Sequence, residues 1–153
     1  MPEELSIVAT GEKWIGYGVR SFSSVTAEIM GRAKNELVMT IYMISDMNIV
    51  HNIQRSLERG VSATIFIYAP LNSYDRDTIE KLIDLEETYS YLTIHMLEDK
   101  VLHAKVLVAD GRYVLMGSAN ATFGGMVKNY ELGFFVNDGK IAHKILELLL
   151  RVV

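Results

Sequence analysis

The hydrophobic positions follow two periods that alternate along the first hundred residues. Runs dense in aliphatic and aromatic residues predict strands over residues 5–9, 36–43, 62–69 and 91–97. Apolar side chains spaced three and four residues apart predict amphipathic helices over residues 22–34, 47–59 and 75–88. Ser23 or Ser24 is expected to cap the first helix, and Gly60 to end the second.

The pattern changes beyond residue 100. Residues 102–109 and 112–116 are two apolar runs separated by Asp110-Gly111, which predicts a β-hairpin with a two-residue turn. A further strand over residues 130–136 and a strongly apolar helix over residues 139–152 complete the chain. Strand–helix alternation followed by consecutive strands predicts an α/β fold with a mixed β-sheet flanked by helices.

The hairpin register groups four polar side chains. With Ala109 facing Arg112 across the turn, Lys105 faces Met116 and His103 faces Ser118. Side chains two apart on a strand share a face, so His103, Lys105, Ser118 and Asn120 are expected on one face at the open end of the hairpin. They bring a nucleophile, a cation and amide and hydroxyl donors to one point. That combination suits an enzyme that holds and attacks a phosphodiester.

The spacing of these residues is itself a motif. From His103 to Asn120 the chain reads H-x-K-x4-D-x6-G-S-x-N, which resembles the HKD signature of the phospholipase D superfamily. Asn129-Tyr130-Glu131 is similar to the downstream Asn-x-Glu element of that family, and residues 41–46 are similar to the strand and turn that precede its site. Among its members, the chain resembles above all the small single-motif, Nuc-type bacterial endonucleases, so a phospholipase D-like domain is expected.

The resemblance implies a role for each residue. His103 is the nucleophile that forms a covalent phosphohistidine, which splits one difficult displacement into two easier ones. Lys105, Ser118 and Asn120 bind phosphate oxygens and stabilise the charge of the transition state. Glu131 accepts a hydrogen bond from the imidazole and fixes its orientation.

Two other motif residues have structural interpretations. Asp110 lies in the predicted turn, roughly 20 Å along the strand from the phosphate end. It is expected to hold its own turn through an Asx-type hydrogen bond. Gly117 lacks a side chain and so permits close approach of a ligand or another backbone.

The chain carries one copy of a motif whose family reaction uses two histidines. The second histidine would protonate the leaving oxygen and later activate water. A two-fold symmetric homodimer supplies it, because such an interface brings identical residues together at the axis. Two copies of Lys105 and Asn120 then provide charge and donors, so neither a metal nor a cofactor is expected.

Composition sets the remaining bounds. With 153 residues the chain is expected to form a single domain over residues 1–153, although the very apolar C-terminal end could continue into a further domain. The acidic N-terminus predicts no secretion signal, which makes the cytoplasm the default location. The chain has no cysteine, and no apolar run approaches a membrane span, so no stable membrane association is expected.

Three functions fit this sequence. The first is a metal-independent phosphodiesterase, most simply a nuclease that acts on nucleic acid or another phosphodiester. The second is a phospholipid-directed phospholipase D, although no basic amphipathic helix is visible. The third is a nucleic-acid-binding or regulatory module with weak catalysis, which the net charge of −4 makes a poor binder by itself.

Overall fold

The computed structural model describes residues 4–70 and 76–153. Its centre is a mixed eight-stranded sheet in the order β2-β1-β8-β7-β6-β3-β4-β5. The strands are β1 Glu4–Thr10, β2 Arg20–Ser21, β3 Glu36–Ile41, β4 Ser62–Tyr68, β5 Leu92–Leu97, β6 Val106–Ala109, β7 Tyr113–Gly117 and β8 Glu131–Asn137. The helices are α1 Phe22–Arg32, α2 Met47–Glu58, α3 Arg76–Thr88 and α4 Gly139–Leu150, with a π-helical turn at Gly124–Lys128. The predicted fold class is confirmed.

The helices cover the two faces of the sheet unequally. The aliphatic faces of α1, α2 and α3 pack on one side around a large core that includes Ile29, Ile53 and Leu82. Helix α4 packs on the other side over a smaller core with Val108 and Leu149. Helices α2 and α3 connect the parallel strands β3, β4 and β5, as expected for helical crossovers.

Local signals explain where the helices begin. Ser21 caps α1 by accepting the N–H of Ser24, so the predicted cap at Ser23 or Ser24 is wrong. The helix starts at Phe22, and a cap must precede the first helical residue. The predicted end of α2 is confirmed, since Gly60 follows it with a φ of +87°. The predicted first residue of the third helix, residue 75, lies outside the described residues.

The motif hairpin differs from its predicted register by one residue. Its loop has three residues rather than two, because Ala109 pairs with Tyr113 and Arg112 stays outside the ladder. Asp110 and Gly111 have φ values of +54° and +65°, and the N–H of Arg112 donates to the carbonyl of Ala109 at 3.1 Å. The predicted pairs of Lys105 with Met116 and of His103 with Ser118 are therefore wrong.

No helix within residues 4–70 or 76–153 is both long and apolar enough to cross a membrane.

Candidate active site

His103 and Lys105 lie just before β6, where this strand separates from β3. The regular β3–β6 pairing ends at Met39 and Leu107. The buried hydroxyl of Thr40 then replaces a ladder partner: it donates to the carbonyl of Ala104 at 2.7 Å and accepts the N–H of Val106 at 2.9 Å. Residues 103–105 are thereby released from regular pairing while their backbone stays fixed at the end of the sheet.

The two motif side chains touch each other. The Nζ of Lys105 lies 3.3 Å from Nδ1 and 3.4 Å from Nε2 of His103, and it donates to the His103 carbonyl at 2.8 Å. The cation and the imidazole of the motif are therefore in direct contact.

An aromatic pair supports this histidine. The ring of Tyr42 meets the His103 imidazole edge to face, with centroids 4.5 Å apart. Tyr42 also stacks on Tyr68 at 5.5 Å, and the Lys105 ammonium lies 5.3 Å from the Tyr42 centroid. The sequence assigned no role to Tyr42 or to Thr40. The available signal was a hydroxyl at two positions of an otherwise aliphatic strand.

The backbone after β7 carries Ser118 and Asn120 across the end of the sheet. Ser118 still pairs with β8, since its N–H donates to the carbonyl of Leu132 at 3.0 Å. Three residues later, Ala121 pairs instead with the segment that follows β3. Its N–H donates to the carbonyl of Met43, and its carbonyl accepts the N–H of Ser45. Between Ser118 and Ala121, the segment passes the end of β6. This path, rather than the predicted hairpin register, brings Ser118 and Asn120 to the site.

Asn120 points into a small space beside Lys105. Both residues line a cavity of about 40 Å³ whose other walls are mostly apolar. The Oδ1 atom of Asn120 is buried and has no hydrogen-bond partner among the described residues. The backbone of Asn120 packs closely against Gly125, since a Cβ added at Gly125 would lie 2.2 Å from the Asn120 carbonyl oxygen. A ligand or water molecule that satisfied this amide would remove a desolvation cost of about 1–3 kcal/mol.

Glu131 is held by two polar neighbours. Its Oε1 accepts from the hydroxyl of Ser118 at 2.7 Å, and its Oε2 accepts from the amide of Asn129 at 3.2 Å. Glu131 thus accepts hydrogen bonds from Ser118 and Asn129, and the structure does not show the expected hydrogen bond from His103 to Glu131. The carboxylate still acts on the site electrostatically. Burial lowers the pKa of Lys105 below its usual value, and the charge of Glu131 opposes that shift.

The site opens to solvent through a wide cleft. His103, Lys105 and Ser118 line this cleft of about 640 Å³, together with Met116, Leu132 and Phe134. The structure therefore brings four of the predicted residues, including Gly117, into one cleft and keeps Asn120 beside Lys105. The cleft presents an imidazole and an ammonium side by side, while the hydroxyl of Ser118 donates to Glu131.

Gly117 lies where two backbones and a ring converge. It pairs with Gly133 across β7 and β8, and a Cβ at Gly117 would lie 2.6 Å from Phe22 and 2.6 Å from the Leu132 carbonyl. The predicted close approach at Gly117 is made by another backbone.

Asp110 is distant from the cleft, and it binds a neighbouring loop. Its carboxylate accepts the backbone N–H groups of Lys34, Asn35 and Glu36 at 2.8–3.2 Å. The expected Asx-type bond within its own turn is thus replaced by bonds to the segment between α1 and β3. Burial alone would raise the pKa of Asp110, but these N–H groups and the charge of Lys34 lower it overall.

Among the described residues, no three His, Asp or Glu side chains gather into a group that could hold a metal ion. His95, for example, stacks on Phe66 in the core, with ring centroids 5.0 Å apart.

Comparison with known proteins places this arrangement in context. Cardiolipin synthase A of Buchnera aphidicola is 25% identical over 114 residues, which are 74% of this chain and 24% of that protein. The chain thus spans about a quarter of that synthase. The structure of Nuc, a phospholipase D family member from Salmonella typhimurium, superposes with a TM-score of 0.78 at 22% identity, covering 94% of this chain and 90% of Nuc. NucT from Helicobacter pylori superposes with a TM-score of 0.75 at 17% identity, covering 97% and 95%.

A family model decides the relationship. The model described as cardiolipin synthase, phospholipase D-like domain, matches residues 26–152, which include the whole motif and the Asn-x-Glu element. The chain therefore belongs to the phospholipase D superfamily, a family of phosphodiesterase-type enzymes, as its motif predicted.

Proposed function

We propose that this protein is a metal-independent nuclease that cleaves phosphodiester bonds through a phosphohistidine at a site shared by two copies of the chain. The observation that carries the proposal is the contact between His103 and Lys105 at the floor of an open cleft. A nucleophile there meets a substrate phosphate whose charge the ammonium balances. The cleft is open rather than enclosed, which suits a polymer.

The chemistry requires two steps. A ring nitrogen of His103 attacks phosphorus, so a P–N bond forms while the P–O bond to the leaving group breaks. The leaving oxygen takes a proton from a second, protonated imidazole. Water then attacks the phosphohistidine, gives its proton to that second imidazole, and restores the first. Lys105 and the Asn120 amide stabilise the charge on the non-bridging oxygens in both transition states.

The second imidazole is supplied by a second copy. The sheet face beside the cleft carries three large apolar side chains that α4 leaves uncovered, Ile7, Leu132 and Phe134, which are 55%, 51% and 37% exposed. Ile7 and Phe134 are direct cross-strand partners. An exposed apolar surface of this kind marks an interaction site. A copy docked here would lie next to His103, because Leu132 and Phe134 line the same cleft.

A phospholipid-directed activity is the second candidate. It is supported by the likeness to cardiolipin synthase A, although the chain corresponds to only 24% of that protein. A third candidate is a regulatory module that binds nucleic acid and cleaves it weakly. The contact of His103 with Lys105 in an open cleft supports catalysis over this alternative.

One panel of assays separates the three. The wild type and His103→Asn are tested in EDTA on single-stranded DNA, RNA, bis(p-nitrophenyl) phosphate and a phosphatidylcholine vesicle. The nuclease proposal expects cleavage of the nucleic acid and the small diester by the wild type alone. Preferential lipid turnover would favour the second candidate, and binding without turnover the third.

The covalent intermediate and the shared site are tested separately. Acid quenching within the first turnover should leave substrate phosphate bound to His103. Sedimentation at micromolar concentration should give a dimer, and Phe134→Glu should dissociate it and remove activity together. A monomer that is fully active would contradict the shared site and demand another general acid.

A further inference from the structure

Exposed aromatic side chains lie on the loop between β1 and β2 and next to the site residue Glu131. Trp14 and Tyr17 lie on the loop between β1 and β2, with exposed fractions of 43% and 107%. Tyr130, which is 48% exposed, immediately precedes the site residue Glu131. Large exposed rings are costly to keep in water, so their concentration near a substrate cleft calls for a ligand.

Two of these rings are held in place. Trp14 meets Tyr130 edge to face, with centroids 4.9 Å apart. Tyr130 in turn lies against the backbone of Gly11, which has a φ of +120° and where a Cβ would come within 2.3 Å of the ring. The loop is thereby tied to the residue next to Glu131. A ligand that reached His103 would meet rings that are already positioned.

Tyr17 stands at the tip of a tight turn. Gly16 and Val19 exchange two backbone hydrogen bonds at 3.1 and 3.0 Å, and Tyr17 between them has a φ of +53°. A bulky residue is uncommon in this left-handed region. The fully exposed ring gains nothing from packing that would offset the strain. Strained residues that packing does not explain point to function.

Two exposed cations lie beside the rings, one of them next to the exposed carboxylate of Glu12. Lys13 precedes Trp14, and Lys128 lies two residues before Tyr130; both are exposed. Rings that stack on bases, combined with cations that follow a phosphate backbone, are the elements by which proteins bind single-stranded nucleic acid.

We propose that Trp14, Tyr17 and Tyr130, with Lys13 and Lys128, form a platform that stacks the unpaired bases of single-stranded nucleic acid and directs its backbone to His103. The inference rests on the proposed function and names its substrate class. In a duplex the bases are stacked on one another and their faces are closed to the rings, so single strands bind preferentially. Braced rings also suit flat bases better than mobile acyl chains.

The chain offers a direct probe, because Trp14 is its only tryptophan. The His103→Asn protein, which keeps the oligonucleotide intact, is titrated with a single-stranded oligothymidine, with a duplex of equal length, and with phosphatidylglycerol vesicles. We expect the single strand to quench Trp14 fluorescence at lower concentration than the duplex, and vesicles to leave it unchanged.

A second variant tests the rings themselves. Tyr17→Asn in the same background keeps a residue that tolerates the left-handed conformation. Loss of one stacked base predicts binding weaker by about 5- to 150-fold. The control is Leu150→Ala, which removes another exposed apolar side chain, at the end of α4, and should bind like its parent.

The outcomes separate the two proposals. Equal affinity of Tyr17→Asn and its parent, or a Trp14 response to duplex or vesicles but not to the single strand, overturns the platform. Hydrolysis of bis(p-nitrophenyl) phosphate by the wild type is measured independently. If the wild type does not hydrolyse this ester but the single strand still quenches Trp14, the catalytic proposal is contradicted and the platform is supported.

Discussion

The hydroxyl of Ser118 donates to Oε1 of Glu131 at 2.7 Å while it accepts the backbone N–H of Leu132 at 3.0 Å. The proton of this hydroxyl is therefore committed to the carboxylate. Ser118 was expected to donate to phosphate, but in this arrangement it first holds the end of the motif against β8. A bound phosphate would have to compete with Glu131 for the same proton.

This link predicts a measurable coupling. Ser118→Ala leaves the Leu132 N–H and one carboxylate oxygen without partners, so we expect a loss of about 1 kcal/mol in the free energy of unfolding. Glu131→Ala removes the same bond from its other end. In a double-mutant cycle followed by urea unfolding, the two effects should overlap by roughly 0.5–1 kcal/mol. Strict additivity would show that the bond does not hold the segment.

Replacement of His103 should separate activity from stability. The imidazole is exposed and contacts Tyr42 and Lys105 at the surface, so His103→Asn should change the melting temperature little. Loss of the nucleophile should lower kcat for a small phosphodiester by roughly 1,000-fold or more. His51→Asn, at an exposed position on α2, is the matched control and should keep both properties. Near wild-type turnover by His103→Asn would remove it as the nucleophile.

Lys105 makes activity sensitive to alkaline pH. Burial lowers the pKa of Lys105, despite the opposing charge of Glu131, so the ammonium that we propose to bind phosphate is lost at a lower pH than on an exposed lysine. The alkaline limb of kcat/KM should fall accordingly. Lys105→Arg stays charged throughout, so its limb should move to higher pH even if the maximum is lower. Identical alkaline limbs would assign the titration to another group.

The burial of Lys105 also lowers the free energy of unfolding at neutral pH. Because the folded-state pKa of Lys105 is lowered, the unfolded chain holds this proton more tightly, and the charged lysine destabilises the fold at neutral pH. That cost disappears as pH rises through the folded pKa towards the ordinary value. Lys105→Met should therefore unfold at higher urea concentration than wild type at pH 7, and the difference should shrink in alkali.

The sequence predicted the fold and which candidate residues lie close together, but not the backbone path that brings them there. Within the described residues, period and turn signals located the four α-helices and all strands except the two-residue β2, but not the π-helical turn at Gly124–Lys128. The hairpin register was wrong because a two-residue turn was assumed, whereas Arg112 is held out of the ladder, where its Nε donates to Asn137 at 2.7 Å. That partner is 25 residues away, so local sequence does not indicate it. Thr40 and Tyr42 were missed for the same reason, since their site contacts are made across the sheet.

Asp110 should matter for stability rather than for chemistry. Its carboxylate accepts three consecutive backbone N–H groups, from Lys34 to the first residue of β3, more than 70 residues earlier in the chain. Asp110→Ala leaves those donors without a partner, so we expect a loss of about 1–3 kcal/mol at pH 7. Turnover of a small diester should be nearly unchanged where the variant is folded, because the residue lies far from the cleft.

The pH dependence gives the sharper test of this bond. The folded-state pKa of Asp110 is lowered below its ordinary value of 3.8, so its contribution is fully present above that value. It is lost as pH falls through the folded pKa, when the carboxylate takes up a proton. The stability gap between wild type and Asp110→Ala, measured by urea unfolding at pH 7, 4 and 2.5, should therefore narrow in acid.

The control is Asp46→Ala. Asp46 caps α2 by accepting the N–H of Asn48, so it represents an acidic residue with one local partner. A gap that stays constant across this range would mean that the charge of Asp110 does not bind the loop, and that the side chain acts through its shape alone.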